Sequence, residues 1–109
     1  MEAKVVLADF ANEEEYHTIK DSHGTAFPTL TMHRVALREA VRNMAAQGYE
    51  VAVEICDLAG FQAYCKLQNA VNTPATVAAY VVAKHGGVEN EHQEGLDHQY
   101  ITVHKEVEQ

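Results

Sequence analysis

Two alternating stretches flank the tetrapeptide Asp57-Leu58-Ala59-Gly60, and their phasing constrains the fold more than any other feature of the chain. From Glu50 to Cys56, Val51, Val53 and Ile55 fall on one side and Glu50, Ala52, Glu54 and Cys56 on the other. From Phe61 to Gln68, Phe61, Ala63, Cys65 and Leu67 oppose Gln62, Tyr64, Lys66 and Gln68. A three-residue loop with Gly60 in the left-handed conformation sets Asp57 opposite Phe61. Ile55 then faces Ala63, Val53 faces Cys65 and Val51 faces Leu67, and a slip of one residue destroys the match. A hairpin over 50–68 is the expectation. Its rival is a helix from Asp57 to Asn69, because a short apolar run satisfies both periods.

Around this hairpin the other elements are read from their boundaries. Ala3 to Phe10 is apolar on both faces, which suits a central strand. The acidic run Glu13 to Glu15 interrupts it, Tyr16 to Lys20 reads as a short strand, and Asp21-Ser22-His23-Gly24 carries turn chemistry. A helix starts at Thr31 as N-cap, repeats Leu37, Ala40, Val41 and Met44 at helical spacing, and stops at Gly48 as the C′ residue. Thr73 and Pro74 open a second helix that Gly86 and Gly87 close. Val88 to Gln99 is an acidic loop, and Tyr100 to Val107 alternates as a last strand. The order β-α-β-β-α-β predicts an α+β fold, the ferredoxin-like sandwich. It has a four-stranded antiparallel sheet with two helices on one face, and room for an extra strand or hairpin in 11–29. At 109 residues the chain is expected to form one domain over 1–109.

Charge narrows the partners. Sixteen Asp and Glu against eight Lys and Arg leave a formal charge of -8, a field that repels phosphate and argues against general nucleic-acid binding. The same field favours solubility and attracts basic surfaces. Protonating all seven histidines would cancel all but one of the excess negative charges. The two cysteines, Cys56 and Cys65, fit no metal or redox spacing. There is no leader pattern, and the longest apolar run, Val77 to Ala83, is too short to span a bilayer. A cytoplasmic, reducing setting is the expectation.

Candidate sites follow from this layout. The open face of the expected sheet carries Glu54, Cys56, Tyr64, Lys66, Tyr100, Thr102 and His104, a set suited to a homodimer interface or a pocket. Cys56 as a nucleophile needs a base, for which His104 is the candidate, but isolated cysteines are usually inert and no catalytic residue is assigned. Arg34, Arg38 and Arg42 form a stripe along the first long helix, read mainly as a solvated flank paired locally through Glu39. His92, Glu94, Asp97 and His98 crowd the acidic loop beside Glu89 and Glu91. They have ligand chemistry but no fixed spacing such as HExxH, so neither metal nor cofactor is assigned. His17, His23, His33 and His85 do not cluster, and His85 suits a helix C-terminus.

No phosphate-cradling loop, nucleophile elbow or CxxC pair is present in the sequence. The expected function is that of a small acidic, non-enzymatic binding protein. Glu13, Glu14, Glu15, Glu89, Glu91, Glu94 and Asp97 would dock on a basic surface of a larger protein. Short, acidic, motif-free chains of this kind occur among phage and mobile-element inhibitors of nucleic-acid-handling complexes, CRISPR-type defences included. The alternative is a dimeric ferredoxin-like small-molecule sensor or monooxygenase-like enzyme that uses the open sheet face.

Overall fold

The computed structural model describes residues 3–24, 26–86 and 101–105. The elements are β1 Ala3–Asp9, α1 Glu13–Lys20, α2 Leu30–Ala46, β2 Glu50–Ile55, α3 Leu58–Gln68, α4 Pro74–His85 and β3 Ile101–Lys105. The sheet runs β2-β1-β3, with β2 parallel to β1 and β3 antiparallel to it. Val5 aligns with Val51 on one side and with Val103 on the other.

β1 is the central strand that its doubly apolar sequence requires. Val5, Val6, Leu7 and Ala8 are all buried, whichever face they point to. Helices α2 and α4 both pack on β1 and β2. Because successive strand residues face opposite sides, full burial of four in a row needs a cover on each face, and these two helices supply it. The core extends through Phe10, Tyr16, Ile19, Leu37, Phe61, Val77 and Val81.

The ferredoxin-like, α+β expectation is corrected here. A parallel β1–β2 pair and four helices replace the four-stranded antiparallel sheet. The change originates after Asp57, where the chain winds into α3 instead of folding back as a strand. Asp57 Oδ2 accepts the amide of Gly60 at 2.9 Å, which is an N-cap. Leu58, Phe61 and Cys65 then pack toward the core at helical spacing. Ala63 and Leu67, which the hairpin reading turned inward, are exposed, Leu67 by 81%. Asn69 ends the helix in the left-handed conformation, φ 54°, with the amide of Ala70 on the carbonyl of Cys65 at 2.8 Å.

The region 11–29 also differs from the expected strand or hairpin, since Glu13–Lys20 is helical. Asn12 Oδ1 accepts the amide of Glu15 at 2.8 Å, and three glutamates in the first turn suit the positive end of the helix. Tyr16, Ile19 and Lys20 form its buried side. The two long helices stand close to where their caps placed them. α2 begins two residues early, capped by Thr29 in place of Thr31, and Gly48 follows its end with φ 96°. α4 has Thr73 as N-cap with Pro74 in its first turn. No described helix is long and apolar enough to cross a membrane.

Candidate functional site

In parallel α/β sheets the carboxyl ends of the strands, with the helix N-termini that follow them, are the usual place for a ligand. Here that edge is formed by Asp9 and Phe10 after β1 and by Cys56 and Asp57 after β2, tied together by the Cys56 amide on the Asp9 carbonyl at 2.8 Å. The helix ends near it are already occupied by side-chain oxygens. Glu15 Oε1 accepts the Leu58 amide at the start of α3, 2.9 Å away. Glu13 Oε2 accepts the Leu30 amide at the start of α2 at 3.0 Å and also bonds His17 Nε2 at 2.8 Å. Asn12 closes α1. Carboxylates therefore stand where a phosphate would sit, so the edge is chemically unsuited to an anionic ligand.

A polar cluster links β2 to α4 at the same edge. Asp57 Oδ1 accepts from the Tyr80 hydroxyl at 2.8 Å and from Lys84 Nζ at 2.9 Å. Desolvation works to raise the Asp57 carboxyl, and the hydrogen bonds from Lys84, Tyr80 and Gly60 outweigh it, leaving it at about 2. Burial and the Asp57 bond push the Tyr80 hydroxyl upward. Gly60 is fixed by this cluster, because a Cβ there would run into the Tyr80 hydroxyl and the Asp57 carboxylate. Tyr80 and Lys84 are four apart on one helix face, and this cluster escaped sequence reading. Its one visible signal was Asp57 immediately before an apolar run.

On the β1 side, Asp9 takes the Arg34 Nε at 3.1 Å while Arg34 Nη2 donates to the Phe10 carbonyl at 2.7 Å. Buried His33 donates from Nε2 to the Ala8 carbonyl at 3.0 Å, with the rings of Phe10 and Tyr16 at 5.1 and 5.4 Å. Tyr16 donates to the Phe27 carbonyl at 2.7 Å, and burial carries its hydroxyl up to about 12. His23 is buried as well. Its Nε2 donates to Asn72 Oδ1 at 2.7 Å, and Asn72 Nδ2 donates to the Ile19 carbonyl at 2.6 Å. Next to Asn72 a cleft of about 220 Å³ opens between α1 and α3, walled by Ile19, Leu58, Phe61 and Cys65 with Thr18 and Gln62 at its polar side.

The residues expected on one open sheet face are divided between the sheet, with Glu54 on β2 and Thr102 and His104 on β3, and helix α3. Glu54 is on β2, bonded to His85 Nδ1 at 2.8 Å. Cys56 is buried, and that burial lifts its thiol to about 12, which suits packing and not nucleophilic attack. Tyr64 and Lys66 are on α3, Tyr64 with its ring 5.4 Å from Tyr80. The side chains of Tyr100, Thr102 and His104 lie outside the described residues, and so does the Cys56–His104 pairing. Of the acidic candidates, Glu13 and Glu15 cap neighbouring helices while Glu14 is exposed. Glu89, Glu91, Glu94 and Asp97, with His92 and His98, lie outside the described residues. The arginine stripe is divided among separate partners, Arg34 on Asp9 and Arg42 on Glu39 at 3.0 Å, with Arg38 exposed. Among the described residues no three His, Cys, Asp or Glu side chains converge as metal ligands. No protein-family model, curated protein or solved structure matches the chain.

Proposed function

We propose that the chain is a non-enzymatic binding protein whose acidic surface docks on a basic surface of a larger protein. The partner class is a nucleic-acid-handling complex, CRISPR-type effectors included, with the chain acting as a cytoplasmic phage or mobile-element inhibitor. The observation that carries this reading is the way the positive charges are spent. Lys4, Arg34, Arg42 and Lys84 each face a carboxylate of the same chain, and Lys20 is buried. Each such pair is neutral, so the formal -8 is left to the remaining groups, where Glu14 and Asp21 are exposed on and beside α1 and Arg38 and Lys66 are the exposed cations among the described residues. Fields of this kind steer association and set specificity more than they fix affinity. The free thiols of Cys56 and Cys65 accord with a reducing compartment.

The test titrates the chain into purified effector complexes and measures nucleic-acid binding and cleavage across a salt series. Competition that weakens steeply with salt is the expected result, and the double variant Glu14→Lys, Asp21→Lys weakens it by roughly ten-fold. Absence of competition at low salt refutes the reading, as does competition indifferent to salt.

The cleft between α1 and α3 favours a second reading, a sensor for a small uncharged amphipathic ligand, because apolar walls with a few polar groups characterise such sites. A ligand seated there raises the melting temperature of the natural chain but not of Cys65→Trp, which fills the cleft. Equal shifts in both would place the ligand elsewhere.

A further inference from the structure

The outer edge of β2 has a backbone pattern that matches itself. Cys56 donates its amide inward to Asp9. In the parallel ladder this turns the amides and carbonyls of Ala52 and Glu54 toward β1, and those of Val51, Val53 and Ile55 away from it. Lys84 Nζ on the Ile55 carbonyl at 2.6 Å agrees with that parity, and a strand pairing here shares that acceptor with Lys84. Among the described residues no strand pairs with this edge. Val53, at its middle, is 45% exposed. The strand has no proline or lysine to discourage pairing, and its only charged residues are Glu50 and Glu54.

We infer that β2 is a docking edge for the β2 strand of a second copy of this chain, antiparallel about a two-fold axis at Val53. Overlap and charge together choose that register: two-folds at Val51 or Ile55 pair only the ends of the strand, and those at Ala52 or Glu54 oppose like charges. A two-fold at Ala52 sets Glu50 opposite Glu54 twice, and one at Glu54 sets the two Glu54 side chains opposite each other, both of which are repulsive. At Val53, each Glu54 faces Ala52 and each Glu50 faces Cys56. On the other side of the strands Val51 faces Ile55 and Val53 faces Val53, so every cross-strand pair there is apolar. The arrangement also brings Glu50 toward Lys84 of the second copy, which lies beside Ile55 and Asp57. The two three-stranded sheets become one continuous sheet, and the exposed edge disappears at the centre. A closed two-fold contact of this kind is self-limiting.

The inference is independent of the basic partner, and salt separates the two. Two copies at -8 repel each other, so salt strengthens this contact, whereas it weakens docking on a basic surface. Sedimentation equilibrium of the full chain across concentration, at low and at high salt, is the measurement. The mass rises toward twice 12.1 kDa, more readily at high salt. Val53→Pro removes only an outward amide, leaving the β1–β2 ladder its bonds, and raises the dissociation constant roughly ten-fold or more. Ala52→Glu, which places an acid opposite Glu54, weakens the dimer, and Ala52→Lys strengthens it. Circular dichroism checks that each variant is folded, and should Val53→Pro unfold, the Ala52 pair decides alone. A single-copy mass at millimolar concentration in high salt overturns the inference. So does a dimer that Val53→Pro leaves intact while folded, or one that shifts in the same direction with Glu and Lys at position 52.

Discussion

Gly60 shows how one atom's space is decided by a polar cluster. In an ordinary helix interior, replacing glycine by alanine gains up to about 1 kcal/mol. Here the new methyl group meets the Tyr80 hydroxyl and the Asp57 carboxylate. We expect Gly60→Ala to lower the unfolding free energy by about 1–3 kcal/mol in urea titrations, the scale of overpacking. A gain in stability would mean that the Asp57–Tyr80 bond is not held in solution. The buried histidines give a second expectation at this scale. Burial holds His23 and His33 below their ordinary 6.5. The unfolded chain then takes up protons that the folded one refuses, so their contribution is complete above about pH 6.5 and is lost as the pH falls below it. Asp57 adds a separate loss between about pH 4 and 2, because its folded carboxyl titrates near 2. His17 works in the opposite sense, raised by its bonds to Asp21 and Glu13 on an exposed flank. Replacing His23 with Gln should therefore flatten the fall in urea midpoint between pH 7.5 and 5.5, a window set by the imidazole range, at roughly the position of the ordinary pKa. An unchanged slope would show that His23 is not shielded from solvent.

At the scale of elements, α3 is where sequence and structure part. Phe61, Ala63, Cys65 and Leu67 alternate as a strand face would, yet Leu58, Phe61 and Cys65 also lie three and four apart. Period alone does not separate these readings, and capping does. Asp57 was assigned to a loop, while its carboxylate serves as the cap that launches a helix. The same chemistry was legible at Thr73-Pro74 and at Gly48, where cap and stop residues stand in their usual order, and both long helices emerged with their boundaries nearly right. β1 was legible because Val5 to Ala8 leave no polar face. The acidic residues of α1 were misread because they look like surface charge. That Glu13 and Glu15 reach the amides of Leu30 and Leu58, seventeen and forty-three residues away, is a property of the folded arrangement and has no local signature. The Asp57–Tyr80–Lys84 site was hidden for the same reason. Two substitutions measure the helical assignment. Phe61→Ala, at a buried position, should cost about 3–5 kcal/mol. Leu67→Gln should stay within about 0.5 kcal/mol of the natural chain, as an exposed site does. Comparable losses at both positions would restore the strand.

For the molecule as a whole, charge governs behaviour more than any single contact. Four of the basic residues lie against carboxylates within the fold, and because each pair is neutral the full formal excess of eight acids is carried by the other groups of the chain. As the pH is lowered from about 7.5 to 5.5, protonation of the five histidines other than buried His23 and His33 removes up to five of the eight excess negative charges, and light scattering should rise as copies repel one another less. Scattering that stays flat over this range would show that solubility rests on something other than net charge.

The central strand carries a further consequence for how the chain is made. Val5 through Ala8 are sealed on both faces, yet the neighbours that seal their edges come much later, Val51 to Glu54 on one side and Ile101 to Val103 on the other. During synthesis this strand leaves the ribosome before either neighbour and waits for Ile101 to Val103 before both its edges can be paired. Contacts so distant along the chain make for slow closure, and an unsheltered Val-Val-Leu-Ala segment is the kind that nascent-chain chaperones hold.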